Sequence, residues 1–142
     1  MRSGHCLTFL LVSISACPQS APKTEQPQES EHRRGPDGLE GWTLNNTIPT
    51  GPTERPTETY PFTLVLARHG HIVRRIAGSP FVWKWIFWAR GRQIAYEAGP
   101  LHFGMLCILA DIQTGRELAS YDCFHGVPGD APDWEKALDA AP

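Results

Sequence analysis

Val82-Trp83-Lys84-Trp85-Ile86-Phe87-Trp88-Ala89-Arg90-Gly91-Arg92-Gln93-Ile94-Ala95-Tyr96 decides the fold. Val82 to Trp88 is almost wholly β-branched or aromatic, Ala89 to Arg92 offers a glycine-centred turn, and Gln93 to Tyr96 resumes as a second strand. Period two puts Trp83, Trp85 and Phe87 on one face and Val82, Lys84, Ile86 and Trp88 on the other. Neither face is cleanly polar, so the first strand is expected to be central or covered on both sides. The aromatics have two readings: they fill a small core, which aromatics dominate by area, or they present a platform to a sugar or peptide. Trp83, Trp85, Trp88 and Tyr96 are therefore the candidate binding residues.

Similar punctuation lies on either side. Phe62 to Arg68 and Ile72 to Ile76 flank His69-Gly70-His71, where Gly70 can supply the positive φ of a tight hairpin. Met105 to Asp111 and Glu117 to Tyr121 form a third hairpin turning at Gln113-Thr114-Gly115. Short β-prone runs separated by glycine turns predict an all-β domain over residues 60–142, an antiparallel meander of about six short strands. With the third turn over Ile112 to Gly115, Asp111 faces Arg116, Leu109 faces Leu118 and Cys107 faces Ser120. Cys107 and Cys123 then fall on opposite faces, which excludes a bridge while that ladder holds. An oxidising compartment favours pairing, which would require fraying beyond Tyr121. Asp133 to Leu138 reads as a short helical turn with Asp133 as N-cap and Trp134 and Leu138 on one face, covering an end of the sheet.

Upstream the composition changes. Eight of the 13 prolines lie between residues 18 and 61, among Gln, Glu, Ser and Thr, with no sustained apolar period. Residues 18–59 thus read as a disordered, extended tether, interrupted by Gly38 to Leu44, whose Trp42 is expected to dock as an extra edge strand. Residues 1–17 read as a signal segment: Arg2 gives a positive start, Leu7 to Ile14 an apolar run too short to span a bilayer, and Ser15 and Ala16 are small residues before a cut. Ile14-Ser15-Ala16-Cys17 resembles the lipobox of bacterial lipoproteins, which implies lipidation at Cys17. The expectation is an exported protein of the periplasm or cell envelope, either soluble or membrane-attached through Cys17.

The 13 basic residues do not exceed the 15 acidic ones, and the net charge of −2 leaves no excess for phosphate neutralisation, so nucleic acid is not an expected partner. The chain carries no Gly-rich phosphate loop, Cys-x-x-Cys pair or nucleophile elbow, and no cofactor is expected. His69 and His71 flank a turn glycine, and no further ligands of matching spacing accompany them, so no metal is expected. Arg68, Arg74 and Arg75 form a small basic group suited to protecting a sheet edge or meeting lipid headgroups.

Trp85, Phe87, Gly91, Arg92, Ile94, Ala95 and Tyr96, followed by Leu109, Asp111, Thr114, Gly115, Arg116 and Leu118, resemble a blade of the β-propellers of the Tol-system and WD-repeat kind. The likeness covers roughly 40 residues, implies a scaffold or interaction role, and has no second copy of its period elsewhere in the sequence. Leu64 to Gly70 also resembles the strand and Arg-His-Gly motif of histidine phosphatases, an α/β family in which His69 would be the nucleophile and Arg68 a phosphate ligand. The expectation taken forward is a non-enzymatic module with no catalytic residue, binding a protein or envelope polymer. A fragment or degenerate relative of a β-propeller protein and phosphoryl transfer at His69 are the alternatives, and the oligomeric state is left open.

Overall fold

The structure, a computed structural model, describes residues 26–48 and 58–142. The signal segment and Cys17 lie outside the described residues. The fold is all-β and antiparallel, with one short helix at the C-terminal end. The described residues hold the six strands expected in the folded part, β4 to β9, and three more upstream of it: β1 (Gln28–Glu29), β2 (Arg33–Arg34), β3 (Leu39–Ile48), β4 (Glu58–Arg68), β5 (His71–Ala77), β6 (Phe81–Trp88), β7 (Gln93–Gly99), β8 (Leu106–Asp111) and β9 (Glu117–Asp122), followed by α1 (Asp133–Asp139).

They make two sheets. The first runs β1-β3-β4-β5, with β2 also paired to β3, and the second runs β6-β7-β8-β9. β1 pairs with Leu44 and Asn45 and β2 with Glu40 and Gly41, so the two fragments occupy one edge position along β3. Each sheet is thus a four-position up-and-down meander with the same connectivity. Between the fragments, exposed His32 stacks on Trp42 at 4.1 Å and meets Glu29 at 3.3 Å and Glu40 at 3.1 Å, while Ser30 stays joined to β3 by donating its N–H to the Thr43 carbonyl at 2.9 Å.

The expected domain start at residue 60 is corrected by this topology, since 26–48 supplies two edge fragments and a complete interior strand. Trp42, expected on an edge strand, lies on β3 between the β1/β2 edge and β4. The Pro-rich composition hid a segment whose apolar residues are few but well placed. Leu39 joins the central core, and Trp42 packs with Val65 and Ala67 on the outer face of the first sheet.

The two sheets pack face to face. Leu39, Leu64 and Leu66 of the first meet Val82, Trp85 and Ile94 of the second, with Ala110 and Ile112 beside them, and all are nearly or wholly withdrawn from water. Burying a side chain of this size contributes roughly 1.5–3 kcal/mol, so this layer holds the sandwich together. The outer face of the second sheet is covered by α1, whose Trp134 and Leu138 pack on Ala95, Cys107 and Leu109. The helix therefore covers a face rather than an end, and Pro132 rather than Asp133 holds its cap position.

Three local slips reshape the expected faces. Between Val82 and Trp85 the β6–β7 register shifts, so Val82 and Trp85 share the inner face, while Ile86 and Trp88 lie toward α1. In β5, Val73 is the extra residue between the Leu66–Arg74 and Ala67–Ile72 pairs. In β9, Leu118 is extra between Leu109–Ala119 and Ala110–Glu117. An added residue reverses the facing of everything beyond it. Cys107 therefore pairs with Tyr121, and Cys123 falls on its own face. The two cysteines form a disulfide with Cα atoms 5.7 Å apart, correcting the expectation that the ladder forbids it.

Candidate functional site

The up-and-down order gathers four tight connections at one end of the sandwich: Pro36–Gly38 before β3, His69–Gly70 after β4, Ala89–Gly91 before β7, and the turn after Asp111. Each contains a glycine of positive φ, namely Gly38, Gly70, Gly91 and Gly115. Among the described residues, the non-glycine residues of positive φ are Asp37 (53°), His69 (50°), Ala89 (49°) and Arg90 (57°), and all four are in these connections. Such conformations cost on the order of 1 kcal/mol or more each and persist where surrounding structure holds them. Gly91 shows the holding: a Cβ there would lie 2.5 Å from Leu39 Cδ1.

Between these connections opens a cleft of about 480 Å³, lined by Arg68, Val73, Gly91, Arg92, Asp111, Ile112 and Gln113. Arg68, the last residue of β4, donates from Nη2 to the Gly91 carbonyl at 3.3 Å, and Arg92 donates from Nε to the Ala89 carbonyl at 3.3 Å. The bulge at Val73 brings that side chain to the cleft wall and sets Arg74 to donate to the Ile112 carbonyl at 3.0 Å and to the Gln113 carbonyl. Ile112 is tied in turn by its N–H to the Arg92 carbonyl at 3.0 Å.

Asp111 is the acidic residue of the lining, and its carboxylate serves the turn. Oδ1 accepts from the Thr114 N–H at 2.7 Å and the Thr114 hydroxyl at 2.8 Å, and these bonds hold its pKa below the usual range, with a smaller contribution from Arg116. Among the described residues no carboxylate lies within ion-pair distance of Arg68 or Arg92. The cleft is therefore walled by two guanidinium groups against the one carboxylate of Asp111, by main chain, and by the apolar Val73 and Ile112.

The aromatic candidates lie elsewhere, and the structure does not gather them on one exposed face. Trp85 is in the central core, 3% exposed, with the Arg33 guanidinium 4.7 Å over its ring, and half-buried Tyr96 packs against the same core. Trp88 packs on the α1 side. Half-buried Trp83 donates from its indole to the Gly99 carbonyl at 3.0 Å and belongs to a cluster with Tyr60 and Phe81. His69 is an exposed hairpin residue whose N–H donates to the Gly38 carbonyl at 2.9 Å, outside the α/β frame that the phosphatase resemblance implies.

Arg92, Ile112 and Gln113 were not singled out from the sequence as site residues. The signal available was positional: paired with an up-and-down reading, Asp37-Gly38, His69-Gly70, Arg90-Gly91 and Thr114-Gly115 mark one end, and Arg68 and Arg92 stand beside two of those pairs. Among the described residues no group of three or more His, Cys, Asp or Glu is placed to hold a metal ion, and no helix is long and apolar enough to cross a membrane. No family model matches the chain, and no curated protein or solved structure is significantly similar to it.

Proposed function

We propose that this chain is a non-enzymatic, exported binding module of the cell envelope, soluble or lipid-anchored through Cys17, which engages a protein or envelope polymer at its arginine-lined end. The observation that carries the binding role is the cleft itself: an end built from four short connections, with two arginines against one carboxylate and apolar walls. Short connections lose little conformational freedom on binding, so their contacts convert efficiently to affinity. Export is supported by the signal-like residues 1–17 and by the Cys107–Cys123 disulfide, a bond that persists in oxidising compartments.

The test is the intact mass and N-terminal residue of the protein recovered from detergent-extracted envelopes of its own host. A start at Cys17 with added acyl mass, or a start after a plain signal cleavage in the periplasmic fraction, supports the reading. An unprocessed Met1 in the cytosolic fraction with both Cys107 and Cys123 reduced overturns it. A second reading, kinship with a longer β-propeller protein, is favoured by the shared connectivity of the two packed sheets. It predicts further four-stranded units encoded in the adjoining reading frame.

A further inference from the structure

We propose that the cleft between Arg68 and Arg92 is an oxyanion site, taking a phosphate or carboxylate group of the bound partner; this rests on reading the chain as a binding module. Two guanidinium groups line one cleft against a single carboxylate, Asp111, whose Oδ1 is held by Thr114, so positive charge is in excess there. Each arginine has one bond to a carbonyl of the Ala89–Gly91 connection, which fixes its stem and leaves further N–H groups of the fork for a ligand. Charge-assisted bonds from such forks to a carboxylate or phosphate are shorter and stronger than neutral ones.

The apolar part of the lining is held independently of any ligand. Arg74 donates to the carbonyls of Ile112 and Gln113, fixing the turn that bounds the cleft, while Ile112 and Val73 supply the apolar surface. A volume of about 480 Å³ exceeds what a single oxyanion needs and falls in the range of small-molecule sites. The ligand is thus an anionic group carried on a less polar body, with the charge at the arginines and the body against Val73 and Ile112.

The experiment titrates the full chain, at low ionic strength, with inorganic phosphate and separately with succinate, following backbone amide shifts and the affinity of Arg68→Gln and Arg92→Gln variants. Saturable shifts at Gly91, Arg92, Ile112 and Gln113, with either substitution weakening binding at least tenfold and Arg75→Gln changing it less than twofold, support the site. Response to phosphate alone assigns a phosphate-bearing ligand, to succinate alone a carboxylate, and to both a site that reads charge. Shifts that never saturate, or binding indifferent to both arginine substitutions, overturn it. If that happens while the protein is still recovered processed from the envelope, the cleft assignment falls and the exported-module reading stands.

Discussion

Glu135 is a carboxyl in an awkward place. It is 2% exposed on α1, its Oε1 has no hydrogen-bond partner, and burial together with the charge of Asp139 raises its pKa. Its position in the first turn of α1, where the helix dipole favours negative charge, offsets only part of that cost. Glu97 is also raised, chiefly by burial, with Lys84 lowering it and Asp139 raising it. A raised folded-state value means that the native protein holds the proton more tightly than the unfolded chain. The associated stability is fully present below the unfolded value near 4.3 and is lost as pH rises through the folded value. The contribution of Glu135 and Glu97 to stability should therefore decline as pH rises above that unfolded value, opposite in sign to that of Asp111, whose folded value is lowered. Glu135→Gln removes its share of that decline: the expected gain at pH 7 is up to about 1 kcal/mol, a few degrees in midpoint, vanishing near pH 4. Thermal melts of both proteins across pH check this, and identical melting curves at every pH would refute it.

At the scale of elements, the bulge at Leu118 decides whether the β8–β9 hairpin is bonded by hydrogen bonds alone or also by sulfur. The disulfide closes a segment of sequence separation 16, for which loop-closure entropy predicts about 3 kcal/mol of stabilisation. Urea unfolding with and without reductant, with thiols counted in the folded state, should show a loss of that order. An unchanged midpoint in protein shown to be reduced would contradict it. Reduction is a cleaner perturbation than substitution, because Cys107 is fully buried against Trp134 and Leu138. The same hairpin shows what the sequence discloses and what it withholds. Strand identity and turn position were legible from β-prone runs and from Gly115, and Asp111 to Gly115 turns as read, with the Gly115 N–H donating to the Asp111 carbonyl at 2.8 Å. The bulge was not legible, since a single extra residue leaves no mark in composition and reverses every facing beyond it. The bulge in β6 had the same effect on Val82 and Trp85.

For the molecule as a whole, the least legible feature was the first sheet. Its interior strand β3 pairs along its length with β4 yet sits among prolines and polar residues, and its edge is made of two-residue fragments below any periodic signal. Its contribution to the core is nevertheless specific. Gly41 lies so close to Trp85 that a Cβ would meet the indole at 2.7 Å, and Leu39 is among the largest fully buried side chains. Removing β3 would leave β4 as an open edge, uncover Trp85, and strip Val65 and Ala67 of Trp42 on the outer face. A tether could be deleted at no cost to folding, but this segment should not be. A chain starting at residue 58 is expected to lose the cooperative unfolding transition and to expose tryptophan, with a red-shifted emission and binding of a hydrophobic dye. Retention of a cooperative transition within about 1 kcal/mol of the full chain, roughly the effect of an average point substitution, would show that β4 to β9 with α1 fold without β3 and that Leu39 and Trp42 contribute little.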